Sequence, residues 1–238
     1  FNKLFAHSYH PYSHSLNYLV PIHKKGDPYL PDNYRGIAIG SALAKLYQLV
    51  LLGRLEAVIE RDNPISPNQI GFKKGHRTAD HIFLLKSLVD KIVRTDKKNL
   101  FVVFIDFRKA YDKINRQLLY LKLQRMGING IFYRNIKTIN DNILYLIKCG
   151  GGFTEPIISK IGLKQGGVLS ALLFNSYIDD VKNIFDETCE PVPILENDPS
   201  HLLYADDLIL VSTSASGLQN CLKKTRTVLY YMATGSKH

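Results

Sequence analysis

Apolar residues follow a helix-like spacing in some stretches of the chain and form strand-like runs in others, and this pattern predicts an α+β protein. In residues 41–61 they recur every three or four positions, as on an amphipathic helix that ends before Pro64. Thr78 is a candidate N-cap for a second helix, whose apolar residues continue to Val93. Residues 99–105 form a continuous β-branched and aromatic run, which is typical of a buried strand.

The second half of the chain carries further helical patterns. They cover residues 116–126, residues 168–185 and a segment entered after Ser216 and Gly217. Asp179 and Asp180 lie within the second of these patterns, where adjacent side chains point about 100° apart. We therefore expect this pair to lie on a solvated helix face rather than to chelate an ion.

Another acidic pair, Asp206 and Asp207, interrupts the apolar stretch of residues 202–211. The β-prone flanks predict a tight hairpin with both aspartates at its turn. Two uncompensated carboxylates between hydrophobic strands repel each other and resist desolvation, and a divalent cation removes both costs. The pattern favours a metal site, while a solvated Asp-Asp turn explains the dipeptide alone equally well.

Asp106 adds to the metal hypothesis because it ends the predicted buried strand. If this strand lies beside the hairpin, three carboxylates converge, and such oxygen ligands suit a pair of Mg²⁺ ions about 4 Å apart. A site of this kind aligns a 3′-hydroxyl and a triphosphate for in-line displacement. Paired carboxylates also serve two-metal nucleases and cyclases, and both remain alternatives.

The charge of the chain indicates a polyanionic partner. Its 238 residues include 31 Lys and Arg against 21 Asp and Glu, a formal net charge of +10. Neutralising phosphates with counterion release drives nucleic-acid binding. Phe72 lies among Lys73, Lys74 and Arg77, so its ring can stack on a template base while the cations hold the backbone. The alternative is that Phe72 packs inward.

Cysteine usage and hydropathy indicate the cellular environment that we expect for the protein. Cys149, Cys189 and Cys221 are widely spaced and odd in number, which predicts neither a disulfide framework nor a zinc cluster and fits a reducing compartment. No stretch approaches the ~20 apolar residues of a membrane span. We expect no membrane partner, and an intracellular protein in the nucleus or in a cytoplasmic ribonucleoprotein.

Five motifs together resemble the reverse transcriptase domain, more narrowly that of the non-LTR (LINE-type) retrotransposons, and they follow the order of that family. They are residues 21–27 with 33–37, residues 69–72 with Gly75, Arg77 and Thr78, residues 106–112, residues 162–170, and residues 204–207. The resemblance extends from about Leu19 to Leu229. Gly36 and Ala171 stand where the family commonly has Pro, which changes backbone stiffness more than chemistry.

This resemblance implies the right-hand polymerase fold, with fingers and an antiparallel palm sheet flanked by helices and with the thumb absent. Residues 1–99, and with them 115–158, would form the fingers, and residues 100–114 and 159–238 the palm. It also implies an RNA-directed DNA polymerase that belongs to a larger retrotransposon polyprotein. The alternative is an inactive, truncated or repurposed fragment that binds nucleic acid without copying it.

The resemblance also assigns roles to single residues. Asp106, Asp206 and Asp207 would bind two Mg²⁺ ions, with Mn²⁺ as an alternative and the backbone carbonyl of Phe107 as a further ligand. Lys25 and Arg35 would hold phosphates, Gln165 and Gly166 would line the nucleotide pocket, and Tyr111 would exclude a 2′-hydroxyl. The implied partners are an RNA template, a DNA primer, dNTPs and further domains of the polyprotein.

Overall fold

The computed structural model describes residues 1–62, 64–149, 152–192 and 200–234. The α-helices are α1 (Asn2–His7), α2 (Tyr12–Ser15), α3 (Ala42–Asp62), α4 (Thr78–Val89), α5 (Arg116–Arg125), α6 (Gly130–Asp141), α7 (Ser170–Ile178) and α8 (Ala215–Thr234). The strands are β1 (Leu16–His23), β2 (Tyr34–Gly40), β3 (Phe101–Asp106), β4 (Leu144–Cys149), β5 (Gly152–Phe153), β6 (Ile157–Ile158), β7 (His201–Tyr204) and β8 (Asp207–Ser212). Short 3₁₀ helices cover Pro31–Asn33, Tyr111–Lys113, Asp179–Ile184 and Glu187–Cys189, and the π-helical segment Asp90–Thr95 continues α4.

The chain divides into two compact units. The first contains Phe1–Pro64 and Tyr111–Leu173, and the second contains Ile65–Ala110 and Phe174–His238. The division into fingers and palm that the resemblance implies stays a prediction.

The first unit is built on a mixed sheet with strand order β2-β1-β4-β5, in which β6 also pairs with β4. β1 and β2 form an antiparallel hairpin, and β1 runs parallel to β4. The predicted helix over residues 41–61 is confirmed as α3, which buries Tyr47, Leu51 and Leu55. The Tyr47 hydroxyl donates to the Asn135 side-chain oxygen at 2.7 Å, so α3 is joined to α6 by a buried polar contact.

The second unit contains a three-stranded antiparallel sheet with β8 between β3 and β7. The predicted strand is confirmed as β3, but the prediction that it is buried is wrong, because its residues are half-buried or exposed and Phe104 is 69% exposed. β3 packs against α8, as does β8. Val211 of β8 joins Leu88 and Ile92, from α4 and its π-helical continuation, in an apolar cluster. At one end of this sheet, Asp106 and Asp207 are exposed to solvent.

Two further sequence-based predictions in the second unit are wrong. Thr78 is the first residue of α4, and Arg77 is its N-cap, with the Arg77 N–H donating to the Asp80 carboxylate at 3.0 Å. Asp179 is not a solvated helix residue, because α7 ends at Ile178 and the chain tightens there into a 3₁₀ helix. The Asp179 side chain is 12% exposed, and it accepts the Ser66 N–H at 2.8 Å and pairs with Lys182 at 2.6 Å.

Over the described ranges, none of the helices has both the length and the hydrophobicity that crossing a bilayer requires.

Candidate active site

A two-residue turn joins β7 to β8, and the acidic pair lies at the turn and the first residue of β8. Tyr204 and Asp207 close the hairpin as opposed residues, Ala205 and Asp206 form the turn, and Asp207 is the first residue of β8. Ala205 has a φ of +55°, which is typical of the first turn residue of a type II′ hairpin. A left-handed conformation costs a residue with a side chain about 1–2 kcal/mol. The predicted hairpin is confirmed, and its turn contains a strained residue directly before Asp206.

Asp106 and Asp207 lie directly opposite each other on the paired strands β3 and β8. Opposed residues in an antiparallel pair direct their side chains to the same face, with Cβ atoms about 5 Å apart. Both carboxylates are exposed to solvent. The structure therefore brings together two acidic residues that lie far apart in the chain, as the metal hypothesis requires.

The electrostatics of this pair are unfavourable. The pKa of the Asp207 carboxyl is raised above its ordinary value, first because neighbouring atoms remove part of its hydration and then because the charges of Asp206 and Asp106 lie close. Within the part of the chain that the structure describes, no three His, Cys, Asp or Glu side chains gather closely enough to hold a metal ion. Asp206 lies in the turn rather than opposite Asp106 on the paired strands, so the register brings only Asp106 and Asp207 directly together.

The donor set still fits a divalent cation. Asp106 and Asp207 offer only carboxylate oxygens, which Mg²⁺ and Mn²⁺ prefer. A cation between them would cancel the repulsion that raises the pKa of Asp207. Phe107 follows Asp106 directly and is half-buried, and Asp206 is half-buried in the turn.

Asp207→Asn is expected to stabilise the metal-free protein, because it removes a carboxylate that faces Asp106 across the strand pair. Like charges in this position cost about 0.5 kcal/mol after solvent screening, which corresponds to a rise in Tm of about 1–2 °C. The gain should vanish below pH ~4, where the wild-type carboxyl is protonated in both states. Thermal unfolding in EDTA measures it, with Asp96→Asn as the control at an exposed carboxylate of the same unit. A lower Tm for Asp207→Asn would contradict the repulsion.

The first unit brings together three segments that carry predicted nucleotide-binding residues. The Leu163 N–H donates to the Tyr111 carbonyl at 2.8 Å. The Gln165 side-chain amide donates to the Asp112 carboxylate at 3.0 Å, and the Gln165 carbonyl accepts the Ala38 N–H at 3.0 Å. The loop that contains Gln165 is thereby fixed to β2 on one side and to the Tyr111–Lys113 turn on the other.

Gly166 lies in this loop, and the two residues predicted to hold phosphates lie on or next to the β1–β2 hairpin. Gly166 has a φ of +89°, and a Cβ added there would lie 3.3 Å from the Ala38 carbonyl oxygen. Arg35 lies on β2 opposite Ile22, and Lys25 lies in the turn after β1. Both basic side chains are exposed.

Phe72 does not pack inward. It is 63% exposed and has a φ of +61°, so the backbone turns sharply as it passes the ring. Lys73, Lys74 and Arg77 are exposed as well. The second unit therefore presents an aromatic ring and three cations on one short surface segment, as the stacking hypothesis requires.

Gln69 has no predicted role, although the structure places it beside the hairpin of β7 and β8. Gln69 is 1% exposed, and its side-chain amide hydrogen-bonds to the backbone of Ala205. The signal in the sequence is the motif of residues 69–72, in which the family resemblance includes Gln69 without assigning it a role. That signal cannot identify the partner, which lies 136 positions along the chain.

Comparison with protein families gives one match over most of the chain. Residues 22–232 match the model of the family "Reverse transcriptase (RNA-dependent DNA polymerase)". The "Probable RNA-directed DNA polymerase from transposon BS" of Drosophila melanogaster is 26% identical over 93% of this chain and 25% of its own length. A "Retrovirus-related Pol polyprotein from type-1 retrotransposable element R2" of Popillia japonica is 30% identical over 88% of this chain and 30% of its own length. The chain therefore spans about a quarter to a third of these relatives.

Solved structures share the fold. A telomerase from Candida tropicalis, solved with a fragment of telomeric RNA, superimposes with a TM-score of 0.66 at 14% identity, over 93% of this chain and 40% of its own. The apo telomerase of the same species, truncated from its C-terminal domain, gives 0.61 at 14% identity over 92% of this chain and 48% of its own. The expected right-hand polymerase fold is confirmed.

Proposed function

Because the chain belongs to the reverse transcriptase (RNA-dependent DNA polymerase) family, as a domain of the non-LTR retrotransposon type, we propose that it extends a DNA primer with dNTPs on an RNA template. The observation that carries the proposal is the pairing of Asp106 with Asp207 beside the turn that holds Asp206. In the reaction, the primer 3′-oxygen bonds to the α-phosphorus of the dNTP, and the bond to the departing pyrophosphate breaks.

The three aspartates are the residues that would hold divalent cations in this reaction, with the Phe107 carbonyl as a further oxygen ligand. Two such ions, Mg²⁺ or Mn²⁺, would supply charge stabilisation in the transition state and a more nucleophilic 3′-oxygen. The backbone positions of Asp106 and Asp207 are fixed, because both residues belong to hydrogen-bonded strands of one sheet. Asp206 would add a third carboxylate to the metal site from the turn.

Residues of the first unit would bind the nucleotide. Lys25 and Arg35 are exposed cations on and beside a hairpin, and such groups hold phosphates by charge-assisted hydrogen bonds. Gln165 offers an amide that both donates and accepts, and Gly166 allows close backbone approach. The half-buried Tyr111 would exclude a 2′-hydroxyl by its shape.

Template contacts would come from the second unit. The exposed ring of Phe72 offers a stacking surface, and Lys73, Lys74 and Arg77 offer charges to the phosphate backbone. As a domain of a longer polyprotein, the chain would act together with further domains that are parts of the same product.

Primer extension on an RNA template with dNTPs and Mg²⁺, at low salt, tests the proposal. Extension of the primer by the 238-residue chain is the expected result. Binding of dNTP without extension would mean that this chain forms the nucleotide site but needs more of the parent protein to hold primer and template. Nucleic-acid binding with no dNTP binding would favour a non-copying fragment, and cleavage of the template would favour a nuclease.

Tyr111→Ala is expected to admit ribonucleotides, because it removes the ring that would clash with the 2′-hydroxyl. We expect the ratio of kcat/KM for dNTP over rNTP to fall roughly tenfold or more, as for loss of one close packing contact in a specificity pocket. The measurement is single-nucleotide incorporation of dGTP and GTP. Tyr18→Ala, at an exposed tyrosine on β1, is the matched control. Unchanged sugar selectivity in Tyr111→Ala would exclude the steric gate.

A further inference from the structure

The segment before Phe72 forms an isolated bridge with β7, the first strand of the hairpin that carries Asp206 and Asp207. The Leu203 N–H donates to the Asn68 carbonyl at 2.8 Å, and the Ile70 N–H donates to the Leu203 carbonyl at 3.0 Å. These two bonds make Gln69 a parallel bridge partner of Leu203. The backbone of this segment is therefore held in register with β7, two residues before the turn.

From this position the Gln69 side chain occupies both backbone polar groups of Ala205. Its oxygen accepts the Ala205 N–H at 2.9 Å, and its nitrogen donates to the Ala205 carbonyl at 3.1 Å. The same oxygen also accepts the Gly71 N–H at 2.9 Å. Since Gln69 and Ala205 are 1% and 5% exposed, water does not substitute readily for these bonds.

Ala205 is a residue that needs such support. Its φ of +55° lies in the left-handed region, where a side chain is strained, and strained residues persist only when their surroundings fix them. Ala205 directly precedes Asp206, so its backbone angles set the direction in which the Asp206 carboxylate leaves the turn.

Gly71 and Asn175 complete the support. A Cβ at position 71 would lie 2.1 Å from the Ala205 nitrogen and 2.8 Å from its Cα, so only glycine permits this approach. The Asn175 side-chain amide donates to the Gly71 carbonyl at 2.7 Å, which ties the segment to α7. The turn is thus held from one side by backbone contact and by one side-chain amide.

We propose that Gln69 is a positioning residue of the polymerase, which holds the Ala205 turn so that Asp206 and Asp207 are directed at the metal ions. The inference rests on the proposed function. Gln69 is 1% exposed and hydrogen-bonds to Ala205, so it would act through the backbone of the turn. Gln69 would thus orient residues that bind the metal. Loss of a group with this role typically lowers metal affinity or activity about 10–100-fold.

The test compares Gln69→Leu, Ala205→Gly and the double variant with the wild type. Gln69→Leu removes three hydrogen bonds to backbone groups, and should weaken Mn²⁺ binding, measured by electron paramagnetic resonance, about tenfold or more. It should lower kcat for dNTP incorporation more than it changes KM for dNTP. Ala205→Gly should restore part of the Mn²⁺ affinity in the Gln69→Leu background, because glycine adopts a positive φ without strain. Gln219→Leu, at an exposed glutamine of α8, is the control.

A folded Gln69→Leu protein with wild-type Mn²⁺ affinity would overturn the proposal. An equal loss of Mn²⁺ affinity in Gln69→Leu and in the double variant with Ala205→Gly would overturn it as well. If Gln69→Leu does not fold, hydrogen exchange in the wild type decides. The Ala205 amide should be protected from exchange as strongly as the amides of β8. Exchange as fast as that of an exposed loop would overturn the proposal that Gln69 holds the turn. Mn²⁺ binding and hydrogen exchange do not need catalysis, so a chain that neither binds dNTP nor extends primers would contradict the proposed function and leave this test intact.

Discussion

Asp106→Asn should lower the rate of dNTP incorporation about 10³-fold, since the loss of a charged metal ligand removes several kcal/mol of transition-state stabilisation. Asn has nearly the same shape as Asp, and the β3–β8 register depends on backbone hydrogen bonds, so the sheet should remain intact. Single-turnover extension of a primer on an RNA template, with saturating dNTP and Mg²⁺, measures the effect.

Two comparisons make this result specific. Asp96→Asn removes an exposed carboxylate of the same unit and should extend primers at the wild-type rate. Nucleic-acid affinity of Asp106→Asn should stay within a few fold of wild type, because phosphate contacts to cations such as Lys73 supply most of that affinity. If Asp106→Asn keeps more than a tenth of the wild-type rate, Asp106 is not a metal ligand in catalysis. If it unfolds, its role is not purely catalytic.

The second large effect is a loss of stability in acid caused by His201. Burial lowers the pKa of this histidine to about 4, from an ordinary value of 6.5, and the nearby His81 adds repulsion. The ring is 4% exposed and stacks on Phe185 with the ring centroids 4.5 Å apart. Among the described residues, neither ring nitrogen has a hydrogen-bond partner. The folded protein therefore keeps this ring neutral where the unfolded chain protonates it.

The direction of the effect follows from proton uptake on unfolding. Between pH 6.5 and pH 4 the unfolded state binds one more proton at this ring. The free energy of unfolding therefore decreases as the pH is lowered, by about 1.4 kcal/mol per pH unit, or about 3 kcal/mol in total. His201→Leu should remove this contribution, and its free energy of unfolding should vary by about 3 kcal/mol less than that of the wild type between pH 7 and pH 4. Urea unfolding at several pH values measures the difference in slope.

His7→Leu is the control for this experiment, because His7 is an exposed residue of α1. It should leave the pH dependence of the wild type unchanged. An equally steep loss of stability in His201→Leu would show that other groups, such as His10 with its pKa lowered to about 4, carry the acid sensitivity.

Periodicity predicted the elements that are long or strongly patterned. The α3 helix, the β3 strand and the hairpin around Asp207 were all predicted close to their observed bounds. The errors fall where tertiary contacts override local preference. In the second predicted helix, the apolar residues Ile82 and Val93 are exposed, while Leu88 is fully buried. Asp179 was assigned to solvent but binds a backbone N–H from residue 66.

The candidate site was predicted as a set of residues without its geometry. Asp106 and Asp207 were named from sequence, but only the β3–β8 register shows that they oppose each other. Asp206 was expected in the same cluster, and it lies in the turn rather than opposite Asp106 on the paired strands. The link between Gln165 and Asp112 depends on a loop that returns to the Tyr111–Lys113 turn, which no local pattern encodes.

The sequence by itself determined which residues can do chemistry and on which elements they lie, because side-chain type and apolar spacing are properties of the chain alone. It fixed Asp106 at the end of a strand and Asp206 and Asp207 at a hairpin. Only the tertiary structure decided that Gln69 holds the strained Ala205 turn and that Gly71 has no room for a Cβ. Such contacts join residues far apart in sequence at distances near 3 Å, and folding alone sets those distances.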